Sequence, residues 1–364
     1  MSNKKLSFLG IAAIISLVLA VFLWQYDSNK KTVSAGRGSL IQGLDPAAVA
    51  EISIQKAGQT ISLKRVESGF AVASKSLYPA SNKEINELLT ACLDVKTVEI
   101  CTNDKANHKD LGVAEENADG ILKFLNSKGE IITGIVIGNQ KDNGMSYARL
   151  VDSDEVWLVQ SVPWLKQSPT EYVVAELVSV DKQDIASVQV SSPDGKYTIA
   201  AEPNSGRAIL QDIPAGKKQK ESECVAVFTA LTSLMFDDVN AVADKADLDF
   251  NREYTCLLAD STLYTISIAQ KDSKTYIKCK AEFTDKEPVK KEQGIESEEA
   301  LKKKEAKLLG KEKVVEFQRT CEGWVYEIAD YKAKSLTKPK QELIEDIVVD
   351  ANAPAEAKTP ENPA

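Results

Sequence analysis

With 54 acidic and 45 basic side chains among 364 residues, the chain carries a formal net charge of −9. That balance argues against nucleic acid as a partner, because phosphate backbones select basic surfaces. A single histidine excludes histidine-based zinc sites by count alone, and the length is enough for two domains of ordinary size.

The first element is a membrane anchor. Nineteen uncharged residues from Leu6 to Trp24 follow Lys4 and Lys5, with Ser7 and Ser16 their only polar side chains. As a helix this stretch is about 28 Å long, close to the ~30 Å of a hydrocarbon core. Trp24 and Tyr26 close it with aromatic rings of the kind favoured at a membrane interface. Val18-Leu19-Ala20 resembles a signal-peptide cleavage site, but Val21-Phe22-Leu23-Trp24 carries the apolar run past it, so the expectation is an uncleaved single span. No cysteine precedes Cys92, which excludes a lipoprotein anchor. Lys4 and Lys5 are balanced by Lys30, Lys31 and Arg37, so orientation rests on layout: a short basic tail before a long polar chain reads as N-terminus in, domains out.

A linker at residues 27–43 leads into the first of two expected α+β repeats, 44–178 and 179–349. Leu44–Ile54 aligns without gaps with Val180–Val190, sharing the Asp and the central Ala and matching each large apolar residue. In the first repeat, Ile52/Ile54 and Ile61/Leu63 alternate around Ala57-Gly58 as a β-hairpin, and Gly69–Val72 makes a third strand. A helix follows Pro79, with Asn82 as its cap and Ile85, Leu88, Leu89, Cys92 and Leu93 as its stripe. After an Asp110–Val113 turn, strands are expected at 121–125, 131–137, 146–151 and 156–159. The second repeat answers with a strand at 197–201, a helix at 224–235, a turn at 247–250, and strands at 264–269, around Tyr276, and at 324–326. Each repeat is thus a helix against a mostly antiparallel sheet.

The second repeat contains a Lys/Glu-rich insertion at 284–313. Ser297 with Glu298 and Glu299 reads as a helix start, Lys307, Gly310 and Lys311 as its end, and Leu301, Leu308 and Leu309 as a thin apolar stripe. It is either a solvated helix or an arm that docks on a partner. The Pro/Ala/Glu-rich tail at 350–364 reads as disordered.

Six cysteines form no CxxC and no metal-ligand spacing. They are compatible with up to three disulfides or with buried thiols; Cys279 and Cys321, expected on neighbouring strands flanking the insertion, are the preferred pair. His108 falls in a polar stretch that reads as an exposed loop, without a nucleophile-elbow sequence to serve. Asp247-Leu248-Asp249 begins like a calcium loop but has Arg252 and Leu258 where Gly and Glu are needed. The acidic pairs Asp237/Asp238 and Asp154/Glu155 read as solvated turns, and no glycine-rich phosphate loop is present. Tyr147, Tyr276, Trp157 and Trp324 recur at matching strand positions and read as packing residues.

Taken together, Leu44-Asp45, Ile52-Ser53-Ile54, Gly69–Val72, Tyr78-Pro79-Ala80, Leu111-Gly112, Ile137-Gly138 and Tyr147-Ala148-Arg149-Leu150 resemble the bacterial "domain of unknown function 4340" family. The resemblance covers 44–177 well and 180–346 more loosely; the second repeat has Asp249 and Ala269 where the first has Gly112 and Gly138. It implies an envelope protein anchored in the bacterial inner membrane with periplasmic domains, accessory to an ABC-type, gliding-motility-like transport system. It brings no catalytic residues, metal or cofactor. The expected function is therefore non-enzymatic binding or scaffolding, with an envelope hydrolase or a lipid- or glycan-binding module as alternatives.

Overall fold

The computed structural model describes residues 38–287 and 298–347. The expected anchor from Leu6 to Trp24, most of the linker and the tail at 350–364 lie outside these residues. Among the described residues no helix is long and apolar enough to cross a membrane.

In chain order the strands and helices begin with β1 (Glu51–Lys56), β2 (Gln59–Val66), β3 (Gly69–Val72), β4 (Tyr78–Pro79) and α1 (Asn82–Leu93). Next come β5 (Lys96–Thr102), β6 (Gly120–Leu125), β7 (Ile131–Gln140), β8 (Ser146–Leu150), β9 (Val156–Gln160) and β10 (Glu176–Val178). They continue with β11 (Ile185–Ser192), β12 (Gly195–Ala201), β13 (Ala208–Leu210), β14 (Lys217–Gln219), α2 (Glu221–Phe228), β15 (Leu234–Met235) and β16 (Asp238–Ala241). The last are β17 (Arg252–Leu258), β18 (Thr262–Lys271), β19 (Lys274–Phe283), α3 (Glu298–Cys321), β20 (Trp324–Ile328), α4 (Asp330–Thr337) and β21 (Ile344–Asp346). The fold is α+β, built on two large antiparallel sheets.

The chain forms two compact units. The first runs up to Thr60 and again from Asn86 to Leu165; the second takes Ile61–Ile85 and everything from Lys166 on. In the first unit the strand order is β1-β6-β7-β8-β9-β5. Period-two alternation buries Ile52 and Ile54 on β1, whereas the middle of β7, from Gly134 to Gly138, is buried on both faces. In the second unit β13-β12-β11-β17-β18-β19-β20-β16 form one sheet, and its last six strands follow the same order as the six of the first unit. Its core holds Val188, Ile199, Phe228, Tyr254, Ile266 and Tyr326. Two buried phenols tie it together: Tyr254 Oη donates to the Val227 carbonyl (2.8 Å) and Tyr197 Oη to that of Lys338 (2.7 Å).

Several elements differ from the sequence expectation for identifiable reasons. Ser81, not Asn82, caps α1: its Oγ accepts from Glu84 N (3.4 Å) and its carbonyl from Ile85 N (3.0 Å). The expected helix at 224–235 stops at Phe228, because Thr229 and Thr232 turn their hydroxyls back onto the carbonyls of Val225 and Thr229. β5 and α4 are additional elements. β5 ends the first unit's strand order, with Val98, Ile100 and Cys101 exposed.

The insertion helix departs most. α3 passes straight through Gly310 and ends only before Gly323, whose φ of +86° supplies the left-handed stop. Gly310 is a contact point instead: a Cβ there would lie 2.8 Å from the Phe283 ring. Cys321 accordingly terminates a helix rather than sitting on a strand.

The glycines at 112 and 138 mark a second close contact, within the first unit. A Cβ on Gly138 would fall 2.5 Å from the Leu111 carbonyl, and that carbonyl accepts from Asn139 N (3.0 Å). Beside it, buried Arg149 donates through Nε to Val113 O (2.8 Å) and through Nη1 to the carbonyls of Leu150 (3.0 Å) and Val151 (3.2 Å). Guanidinium geometry suits this convergence of backbone oxygens. At the corresponding turn of the second unit Lys271 pairs with Asp247. Replacing Gly138 with Ala is expected to lower the free energy of unfolding by about 1–3 kcal/mol in urea titrations; an unchanged midpoint would mean that the turn at Leu111 yields without cost.

Candidate functional site

The residues singled out in the sequence do not assemble into a catalytic group. His108 is buried rather than exposed, because its Nε2 donates to the Asp154 carbonyl (3.0 Å) and its own carbonyl accepts from Val113 N (2.8 Å). It ties the loop before Leu111 to the turn after β8, so its ring is engaged in structure. Lys271 holds the Asp247 carboxyl below its usual range, chiefly by hydrogen bonding, and Asp249 accepts from Asn251 Nδ2 (3.2 Å). Asp238 is paired with Lys75 and also accepts from Val239 N (2.8 Å). Ser153 Oγ accepts from Glu155 N (3.1 Å), the turn role expected of that segment. Tyr147 packs against Val113, Ile121, Val136 and Val156, whereas Tyr276 lies under the Lys245 ammonium (4.9 Å).

The feature that stands out is a groove of about 590 Å³ in the second unit. α3 forms one wall, where a four-residue step places Leu309, Lys313, Phe317 and Cys321 along one face. Opposite it stand Tyr78-Pro79-Ala80 from β4 and Val174 and Leu177 around β10. Val174 and Leu309 are exposed apolar side chains. The charges lining it are Glu176, Glu312, Glu316 and Lys313, an acidic excess. In the sequence Tyr78-Pro79-Ala80 belongs to the family pattern and Leu309 to a thin apolar stripe, and no local signal brings the two together.

Local structure fixes each wall. β4 pairs with β3 through Val72 and Tyr78, and Ala80 N donates to Phe70 O (2.8 Å). Ser76 and Leu77 just before it adopt φ of 52° and 64°, rarely populated by a side chain such as leucine. The reversal carries Leu77 into solvent and turns Tyr78 inward. α3 is held by Phe317, which meets the Tyr264 ring edge-on at 5.1 Å, and by Gln318, whose Nε2 donates to the Ala281 carbonyl (2.6 Å).

Behind the groove lies a cluster of aromatic rings. Tyr78 meets Trp324, Phe236 and Tyr326 edge-on with centroids 4.9, 5.8 and 6.2 Å away. Burial pushes the Tyr78 phenol up to about 12, and that of Tyr326 higher still. Tyr326 Oη is buried without a well-formed hydrogen bond, although the Tyr78 hydroxyl and the Cys321 thiol stand beside it. Next to it, Cys279 on β19 and Cys321 at the end of α3 lie near enough for their thiols to perturb one another. All six cysteines are free in this structure.

An orphaned buried hydroxyl is a cost that an apolar replacement removes. Tyr326→Phe is therefore expected to leave thermal stability unchanged or to raise it by up to about 1 kcal/mol. A loss greater than that in calorimetry would show that the hydroxyl is bonded after all.

No curated protein and no solved structure matches this chain. Residues 71–252, half of the 364, match the family described as a domain of unknown function, DUF4340. The matched stretch begins inside β3, takes in the Tyr78-Pro79-Ala80 wall, and runs on to the first residue of β17. It therefore includes parts of both units rather than coinciding with either. The chain belongs to the DUF4340 family.

Proposed function

We propose that this protein is a non-enzymatic binding subunit, anchored in the bacterial inner membrane by the span from Leu6 to Trp24, with its domains in the periplasm. Its two units are tandem copies of one ancestral domain, a reading supported by the shared six-strand order and by the gapless match of Leu44–Ile54 to Val180–Val190. The observation that carries the functional reading is the groove. Aromatic and aliphatic walls with an acidic excess suit an apolar segment flanked by basic residues. The partner is a subunit of an ABC-type transport complex of the gliding-motility-associated kind, and the groove receives such a segment from it. An anchored subunit gains effective concentration for a partner in the same membrane, so a modest groove is sufficient.

The test is crosslinking in intact cells, tagged purification from detergent and mass spectrometry of the recovered proteins. Wild-type protein is expected to bring down identified ABC permease subunits. Leu309→Glu, at an exposed groove position, is expected to lower that recovery at least about tenfold while leaving the fold intact. Recovery of no transporter subunit, or equal recovery by the folded variant, would overturn the reading.

A further inference from the structure

β19 pairs with β20 only through Thr275, Tyr276 and Ile277; beyond that point α3 takes the place of the neighbouring strand. Gln318 bonds the Ala281 carbonyl, Gly310 lies on Phe283, and Lys307 pairs with Asp285 just past the strand. Three residues beyond Gln318 the helix ends at Cys321, and two residues before Ala281, on the same face of β19, stands Cys279; both side chains are buried there, side by side. Cys279 faces no other cysteine across the sheet, its neighbour on β18 being Ile266. Cys321 also lines the groove, so a small reagent entering there reaches one sulfur of the pair before the other.

We propose that Cys279 and Cys321 are a redox-active dithiol, a site of reversible disulfide formation that locks the groove-lining helix onto β19. This inference does not depend on which partner fills the groove. The oxidant is a disulfide-bearing compound, RS–SR, reacting by exchange. Cys321 Sγ, as thiolate, attacks one sulfur of RS–SR; the S–S bond breaks, Cys321–S–SR forms and RS⁻ leaves. The Cys279 thiol then gives its proton to that RS⁻, and its sulfur attacks Cys321 Sγ, expelling the second RS⁻, which takes up the proton first lost by Cys321. Two cysteine thiols lose two electrons and two protons, and RS–SR becomes two RSH.

The order of attack follows from position, because Cys321 lines the groove and Cys279 does not. Interaction between the two thiols acts in the same sense, drawing Cys321 below its ordinary range despite burial and, together with burial, pushing Cys279 up. Burial pushes up Cys92, Cys224 and Cys256, which have no such partner.

The full-length chain, reduced and then equilibrated with oxidised glutathione, is alkylated and digested for mass spectrometry. The expected result is a crosslinked peptide joining Cys279 to Cys321, with both residues lost from the alkylated pool and both regained on adding reductant. In Cys279→Ser, glutathione is expected to remain trapped on Cys321. Should both thiols of the wild type stay fully alkylatable, the proposal fails, whether or not either variant folds. Glutathione trapped on Cys279 in Cys321→Ser, with none on Cys321 in Cys279→Ser, would overturn the assignment of the attacking sulfur.

Discussion

The second unit depends on a strand that loses its neighbour halfway. β20 leaves β19 after three paired residues, and the backbone groups beyond would face solvent unless something else covered them. A 24-residue helix does so, spending a glutamine amide on one carbonyl and a glycine on the closest approach. About 36 Å of helix is far more than that edge requires. The stretch that covers the edge, from Leu309 to Cys321, also presents the wall of the groove.

The units share a strand order but differ at the positions where a duplicated fold can vary cheaply. The first closes its β7 turn by packing glycine against carbonyl and gathering backbone oxygens around Arg149. The second uses the ion pair of Lys271 with Asp247. An exposed pair of that kind adds little stability, and buried Ala269 stands at the position matching Gly138. Tyr147 and Tyr276 have diverged likewise, one into an apolar cluster and the other under a lysine.

Much of the local structure was legible in the sequence. The Ala57-Gly58 turn, the strand at Gly69–Val72 and the strands at 131–137 and 156–159 carry periodicity and turn chemistry that admit one reading. β5 has the β-branched run Thr97, Val98, Ile100 and Thr102, a signal that was present but obscured by its position directly after a helix. What could not be read was long-range. Gly310 looks like a stop to a local rule and is a packing contact; His108 looks solvated among its charged neighbours and is buried through a carbonyl 46 residues away. The groove was illegible for the same reason: its β4 and α3 walls are separated by more than 200 positions and share no motif. The proximity of Cys279 to Cys321 was anticipated, but on the assumption of two strands rather than a strand and a helix end.

Cys101 gives the molecule an unequal chemical address. Five cysteines are buried, and the sixth stands exposed on the terminal strand of the first unit. Burial with the nearby Glu99 carboxylate keeps its thiol above the ordinary range, so it is a slow nucleophile, but an accessible one. A bulky, membrane-impermeant maleimide thus meets a single native handle, and whether it reacts in an intact cell depends on the compartment that β5 faces. The compartment of the first unit can in this way be read from a native side chain, without an engineered tag.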